Sequence, residues 1–304
     1  MRWDDFRRSD NVEDDRGGGG GFGGGGFGIP VGGGGLGIGT VIILGLIGWA
    51  TGIDPSILIG GAELVNGGSQ YQQPHRQSSR RTGTPTDPTG QFVAAVLGNT
   101  EDTWSAIFQA GGQQYRPPRL RLFSGSEQGG CGFAQAAMGP FYCPTDRRIY
   151  LDTSFFREIE TRFHGCQGNA CKFSQAYVIA HEVGHHVQNL LGTLPKAQDA
   201  QRAAGNKAAA NRIQVRVELQ ADCYAGVWAN RSEQRHSFLD PGDLDAALNT
   251  ASAIGDDTLQ RRAQGRIVPD AFTHGSAEQR KRWFSAGFAQ GKLSACDTFG
   301  AGTL

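Results

Sequence analysis

Two histidines and a glutamate lie in the string His181-Glu182-Val-Gly-His185, with apolar residues on both sides. On an α-helix, residues four apart share one face at about 6 Å, so His181 and His185 can bind one metal ion through their imidazole nitrogens. Glu182 is rotated by about 100° from His181, so its carboxylate can reach a water held on the metal. The pattern predicts a catalytic zinc site with Glu182 as general base. The alternative is two histidines that cap or pack on a surface helix.

A catalytic zinc ion needs a third protein ligand and keeps its fourth position for water. Glu218 and Asp222 are one helical turn apart, and their neighbours Val217, Leu219 and Cys223 are apolar. We therefore expect Glu218 to be the third ligand. Asp222 is expected to accept a hydrogen bond from a ligand histidine and to fix its tautomer. The alternative, two acids on a solvated helix face, does not fit this apolar composition.

Two further histidines lie near predicted helices. His274 is in a loop before a Ser276/Gln279 capping box, where it could hydrogen-bond the oxyanion formed during hydrolysis, and we assign it as a catalytic candidate. A purely structural role for His274 stays open. His186 faces away from His181 by helical geometry, which favours a buried or supporting group over a ligand.

The elements that must position these residues follow from periodicity and capping. Asn99 with Asp102 resembles a helix start, so part of 91–114 is predicted to be helical. Short strands are predicted at 118–123 and 147–151. The later part of the chain is predicted to be mostly helical, over residues 174–190, 197–230, 243–254 and 277–289. Few strands precede many helices, so the predicted fold class is α+β.

The N-terminal part of the chain differs in composition from the rest. A charged and Gly-rich stretch precedes 18 uncharged, largely apolar residues, 36–53, which is at the lower limit for crossing a bilayer. A cleaved signal peptide is the alternative, but the polar and Gly-rich part before the apolar segment is too long for one. The predicted organisation is therefore a tail, a transmembrane anchor, a flexible linker and a zinc metallopeptidase domain, over residues 1–35, 36–53, 54–90 and 91–304.

Charge and cysteine distribution predict the location. Four arginines precede the apolar segment and none follows it closely, which favours a single-pass protein with a cytoplasmic N-terminus and an extracytoplasmic domain. All six cysteines would then lie on the oxidising side, where disulfides form. Six cysteines allow 15 connectivities. The first two predicted pairs close short local loops and the third follows by elimination: Cys131–Cys143, Cys166–Cys171 and Cys223–Cys296.

Four strings together resemble a known family. They are the segments 181–188, 218–222, 139–144 and 272–276. In these strings, and over nearly the whole chain, the sequence is similar to the bacterial neutral zinc metallopeptidases of the YpfJ type, which are related to gluzincins. The resemblance implies a zincin-like domain with a small N-terminal sheet and a central helix that carries the His-Glu-x-x-His motif. Together with the apolar segment and the arginine distribution, it leads us to expect a protein of the bacterial inner membrane with this domain on the periplasmic side.

Segment 131–143 precedes the metal-binding helix by about 40 residues. In zincin-like folds an upstream edge strand pairs with extended substrate, and a Cys131–Cys143 bridge could hold such an edge rigid. A simple structural hairpin is an equal alternative.

The expected function is zinc-dependent cleavage of peptide or protein substrates at the cell envelope. Lys plus Arg and Asp plus Glu balance at 29 each, so no global charge directs the chain to nucleic acid. The alternative is a non-catalytic envelope scaffold, stabilised by zinc, or a partner-binding protein. A structural zinc site would be closed by four ligands, whereas the sequence offers three and an intact general base.

Overall fold

The computed structural model describes residues 1–16, 81, 82, 84–135 and 139–304. These residues form a small sheet and a larger set of helices, so the predicted α+β class is confirmed. Within this described part of the chain, no helix is both long enough and apolar enough to cross a bilayer. The predicted anchor over residues 36–53 lies outside the described residues.

Seven short strands occur in the described residues: β1 Val12–Asp14, β2 Arg81–Thr82, β3 Arg119–Phe123, β4 Ser126–Gly129, β5 Gly132–Gln135, β6 Phe141–Cys143 and β7 Arg148–Asp152. Five of them form the main sheet, in the order β2-β1-β3-β7-β6. Strands β1, β3 and β7 are parallel, and the edge strands β2 and β6 are antiparallel to their neighbours. Strands β4 and β5 form a separate hairpin.

Eight α-helices occur in the described residues: α1 Pro88–Ala110, α2 Ser154–Thr161, α3 Cys171–Leu190, α4 Thr193–Arg202, α5 Lys207–His236, α6 Asp243–Ala253, α7 Asp256–Gln264 and α8 Ala277–Gln290. Helices α3, α6 and α8 lie within a few residues of their predicted positions. The predicted helix over 197–230 is instead two helices, α4 and α5, because the chain turns at 203–206 and Asn206 caps α5. The predicted capping box at the start of α8 is present.

Helix α1 begins before the predicted domain boundary at residue 91. Asp87 caps it by accepting a hydrogen bond from a first-turn backbone N–H, and Pro88 occupies the first helical position. The predicted start near Asn99 is wrong. Asn99 lies in the middle of the helix, where its buried side chain accepts a hydrogen bond of 2.7 Å from the indole N–H of Trp228. The polar side chain therefore joins α1 to α5 rather than capping a helix.

Residues 1–16 are part of the folded body. Strand β1 lies between β2 and β3, with Val12 fully buried. Glu13 is also buried, and its carboxylate accepts a 2.8 Å hydrogen bond from the buried Arg121 of β3. The predicted organisation separates residues 1–35 from the domain, whereas in the structure residues 12–14 pair with β3 of that domain.

All three predicted disulfides are confirmed. The Cα–Cα distances are 5.7 Å for Cys131–Cys143, 5.1 Å for Cys166–Cys171 and 5.5 Å for Cys223–Cys296. The first joins the hairpin of β4 and β5 to the edge strand β6. The third joins the middle of α5 to the short 3₁₀ turn Leu293–Cys296 near the end of the chain.

Helices α3 and α5 pack closely in antiparallel orientation. A Cβ atom added at Gly184 would lie 2.9 Å from the backbone oxygen of Ala221, so only glycine fits at this contact. Beside it, the amide of Gln188 donates to the backbone carbonyl of Val217 at 2.8 Å. This packing places residues 181–185 of α3 directly opposite residues 218–222 of α5.

Candidate metal centre

Helix α3 carries His181, Glu182 and His185 on the face that meets the interior. His181 and Glu182 are buried and His185 is nearly so, with a side chain 13% exposed. The periodicity that predicted the site therefore holds in the fold, since residues four apart do lie side by side. The two imidazole rings have centroids 4.8 Å apart.

Helix α5 brings Glu218 to the same point from the opposite side. One carboxylate oxygen, Oε2, lies 3.2 Å from His181 Nε2 and 3.4 Å from His185 Nε2. Two ligand atoms on one tetrahedral zinc ion are roughly 3.4 Å apart, because each lies about 2.0–2.1 Å from the metal. Among the described residues these three side chains form a group whose ligand atoms all lie within 4.8 Å of one another. The donor set and its spacing fit a zinc ion.

Each potential ligand has a second polar partner. His181 Nδ1 lies 2.8 Å from Asp222 Oδ1, so Nδ1 carries the proton and Nε2 faces the cluster. His185 Nδ1 lies 2.9 Å from Gln188 Oε1, which fixes the same tautomer. The structure thus places Asp222 where the sequence predicted it and adds Gln188, which sequence reasoning missed. Gln188 lies three residues after His185 on the same helix, and this spacing could have identified it from the sequence.

Gln214 is the corresponding partner of Glu218. Its amide donates to Glu218 Oε1 at 2.7 Å, which leaves Oε2 for the two histidines. Gln201 of helix α4 in turn donates to Gln214 at 2.8 Å. Both glutamines were missed, although Gln214 lies one helical turn before Glu218. The predicted ligand is therefore held at both carboxylate oxygens.

Asp222 is ionised and held in place by a buried arginine. Arg280 of α8 donates from Nε to Asp222 Oδ2 at 2.8 Å and from Nη2 to Oδ1 at 3.0 Å, and Tyr177 donates to Oδ1 at 2.5 Å. Burial acts to raise the pKa of Asp222, but the charges and hydrogen bonds of Arg280 and His181 together outweigh it, so the pKa lies below its ordinary value. The carboxylate therefore stays available as an acceptor for His181.

Glu182 is buried in the same cleft. Burial raises its pKa above the ordinary value, and the two neighbouring histidines only partly offset this effect. A hydrogen bond from the backbone of Tyr142, in the edge strand β6, also reaches it. A carboxylate with a raised pKa is a stronger base, which suits a group that must accept and return a proton.

His274 lines the same cleft from the loop between α7 and α8, with a side chain 52% exposed. Asp256 holds this loop through Oδ2, which accepts hydrogen bonds from the backbone N–H groups of Thr273, His274 and Gly275. Partial burial acts to lower the pKa of His274, but the hydrogen bond to Asp256 and the negative charges of Glu218 and Asp256 together outweigh it, so the pKa is raised. Sequence reasoning missed Asp256, which has no motif.

His186 is buried away from the cluster. Its Nε2 donates to the backbone carbonyl of Arg116 at 2.6 Å, and its Nδ1 accepts from the hydroxyl of Tyr142 at 3.0 Å. These bonds tie the central helix to the strand that borders the cleft. Burial lowers the pKa of His186 to about 4, so the ring is neutral in the folded protein.

The cluster opens into a cleft of about 490 Å³. Strand β6 borders it, and the described part of the sheet pairs β6 only with β7. Fold and cluster together define a protein with a candidate metal site of two histidines and one glutamate, beside a buried carboxylate. Residues 1–299 match the family model described as "Putative neutral zinc metallopeptidase", and the chain belongs to this family.

Curated relatives cover most of the chain. The Escherichia coli (strain K12) protein YpfJ is 45% identical over 300 residues, which is 99% of both chains. The Mycobacterium bovis protein Mb2605 and the Mycobacterium tuberculosis (strain H37Rv) protein Rv2575 are each 43% identical over 238 residues, which is 75% of this chain and 76% of theirs. All three are called uncharacterized proteins. No solved structure matches the chain.

The ligand assignment predicts an order of zinc loss. We expect Glu218→Ala to lose most bound zinc, because it removes a ligand, whereas Asp222→Asn should weaken affinity by about 10–100-fold, as expected for a partner of a ligand. Gln214→Ala should do no more than Asp222→Asn. Zinc content and affinity of the purified variants measure this. Full zinc in Glu218→Ala with an empty site in Asp222→Ala would make Asp222 the ligand instead.

The lowered pKa of His186 predicts that the folded protein loses stability in acid. Its folded-state pKa of about 4 lies below the ordinary histidine pKa of 6.5, so the unfolded chain binds the proton first as the pH falls. The free energy of unfolding of the metal-free protein should therefore be greatest above pH 6.5 and should lose up to about 3 kcal/mol from this residue towards pH 4. Denaturant titrations at several pH values measure the slope. His186→Gln should flatten it and the exposed His164→Gln should not; equal slopes in all three proteins would contradict the assignment.

Proposed function

We propose that this protein is a zinc-dependent peptide hydrolase of the cell envelope. The observation that carries the proposal is the position of Glu182, a buried carboxylate in the same cleft as three side chains that can bind zinc. A zinc site that only stabilises the fold is closed by four protein ligands. Among the described residues the group contains three, which leaves one position open towards the cleft.

His181, His185 and Glu218 would hold the ion. When bound, zinc lowers the pKa of a water in its open position and polarises the carbonyl to be attacked. Glu182 takes a proton from the attacking water and delivers it to the nitrogen of the leaving amine, so that one carboxylate serves both steps. His274, at the open side of the cleft, donates a hydrogen bond to the oxygen on which negative charge develops.

The edge strand β6 supports an extended peptide as the substrate. It borders the cleft along Phe141 and Tyr142, and its pairing with β7 leaves the other edge directed away from the sheet. A substrate strand placed there would pair through backbone hydrogen bonds. The bridge between Cys131 and Cys143 holds the end of this strand. Between the two alternatives for segment 131–143, these observations favour substrate pairing over a purely structural hairpin.

The proposed location is the oxidising side of the cytoplasmic membrane, with residues 1–16 and 84–304 together. Three disulfides support it, because such bonds persist outside the reducing cytosol. Residues 36–53 remain the proposed region of membrane attachment. Because β1 shares a sheet with β3, the proposal places both ends of the intervening segment on one side of the membrane.

Glu182→Gln is expected to keep zinc and to lose hydrolysis. The substitution removes the base but leaves the ligands, and loss of a general base costs about 10²–10⁴-fold in rate. Zinc content and cleavage of a diverse peptide library by the purified protein test this, with the exposed Glu160→Gln as a matched control. Undiminished cleavage by the zinc-loaded Glu182→Gln protein would refute the assignment, and so would a zinc-loaded wild-type protein that cleaves no peptide.

If the proposed location is correct, a reagent that cannot cross the membrane should label both residues 1–16 and residues 84–304 in intact spheroplasts. Asp10 and Arg266 are exposed, so Asp10→Cys and Arg266→Cys should each react with a membrane-impermeant maleimide in spheroplasts. Lysed cells give the full labelling of each variant as the control. If only Arg266→Cys is labelled before lysis, the N-terminus lies in the cytoplasm, as the charge distribution predicts. Labelling of neither before lysis would overturn the extracytoplasmic location.

A further inference from the structure

The cleft beside the metal centre has two chemically different halves. Helices α3 and α5 are antiparallel, so the cleft can be followed along α3 from Tyr177 to His185 and beyond. His181 and His185 lie near its middle. The lining changes character on the two sides of these residues.

The apolar half lies towards the start of α3. It is lined by Phe155, Phe163, Val178, Ile254 and Leu259. These residues come from three helices, α2, α3 and α7, and from the turns that follow α2 and α6, yet they converge on one region. The rings of Phe155 and Phe163 have centroids 6.1 Å apart, and Phe155, Ile254 and Leu259 are only half-buried.

Hydrogen bonds fix this convergence. Arg280 donates to the Ile254 carbonyl at 3.4 Å and to the Tyr177 hydroxyl at 3.0 Å, which joins the end of α6 to the start of α3. Arg262 of α7 donates to the carbonyl of Phe163 at 3.2 Å. The helix that carries Leu259 therefore lies against the loop after α2.

The amide half lies beyond the end of α3. Gln198 and Gln201 of α4 and Gln214 of α5 line it, together with the apolar Leu194 and Val217. Gln201 bonds to Gln214, which bonds to Glu218, so this side of the cleft is continuous with the ligand. Amide side chains both donate and accept hydrogen bonds, and they suit polar or backbone groups of a peptide rather than an apolar side chain.

From this asymmetry we infer that the substrates carry a large aliphatic or aromatic side chain next to the scissile bond, on one side only, and that it binds in the apolar half. The inference rests on the proposed peptidase function and adds the substrate class. Half-buried apolar side chains that line a cleft gain free energy when an apolar group covers them. A cleft of about 490 Å³ accommodates such a side chain together with the peptide on either side of the metal.

Two readouts separate this inference from the peptidase function itself. The zinc-loaded Glu182→Gln protein is used to capture peptides from a library randomised on both sides of a central bond, and the wild-type protein is used to cleave the same library. We expect leucine, methionine or phenylalanine to be enriched at one position adjacent to the bond in both experiments. Capture with this enrichment but no wild-type cleavage would support the substrate class and reject the hydrolase. Cleavage without this enrichment would support the hydrolase and reject the substrate class. If the protein neither captures nor cleaves any peptide, both the substrate class and the hydrolase are overturned.

Leu259→Lys tests the residues directly. It should reduce capture and cleavage of peptides with an apolar side chain at the selected position by 10-fold or more, and should raise those with glutamate there, at unchanged zinc content. If Leu259→Lys fails to fold, Ile254→Ala is the second test, because it keeps the backbone carbonyl that is bonded to Arg280. It should give a smaller loss of capture and cleavage in the same direction. Ile267→Lys, a substitution of an exposed residue, is the matched control. Unchanged selectivity in both Leu259→Lys and Ile254→Ala would overturn the inference.

Discussion

Helices α3 and α5 contact each other where Gly184 faces Ala221, and the metal centre depends on this contact. The two histidines come from one helix and Glu218 from the other, so the distance between the helix axes sets the distance between ligand atoms. A Cβ atom at residue 184 would lie 2.9 Å from the Ala221 oxygen and would force the helices apart. A glycine inside a helix is usually unfavourable by about 1 kcal/mol relative to alanine, and here the close approach requires it.

Polar networks then hold the ligands in this gap. On one side, His181 is bonded to Asp222, which is bonded to Arg280. On the other, His185 is bonded to Gln188, whose amide reaches the side chain of Gln220 at 3.0 Å. Each member is buried or nearly so, and an unsatisfied polar group at such depth would be costly. The networks therefore restrict the rotamers of both histidines before any metal arrives.

The sequence predicted the local parts of this site well and the long-range parts poorly. The spacing of His181 and His185 is set by the α-helix itself, so their proximity followed from the motif. Glu218 is 33 residues from His185, and its position was inferred from its turn-spaced partner and from the family resemblance. Arg280 and Asp256 could not be predicted, because each acts only where the fold brings its helix against another.

For the fold, too, local features were predicted better than long-range ones. The elements with clear periodicity, such as α3 and α8, were predicted within a few residues. Asn99 gave a false helix start, because a polar residue suited to a cap was instead used to bond the buried indole of Trp228. The most consequential error concerned residues 1–16, where a run of charged residues resembled a solvated tail. Several of their charges are instead paired within the folded body, as Glu13 is with Arg121 of β3 and Arg7 is with Glu101 of α1.

The pairing of β1 with β3 also constrains how the chain can fold. Val12 pairs with Leu120, more than one hundred residues later, so this part of the sheet must wait until β3 has been made. Contacts so distant in sequence are formed slowly because a large loop must close first. Until β1 pairs with it, β3 has an unpaired edge that carries Leu120 and Leu122, both buried in the finished fold. An unpaired apolar strand edge is a site for wrong association with other chains. By pairing with β3, residues 12–14 therefore protect a strand that is synthesised long after them.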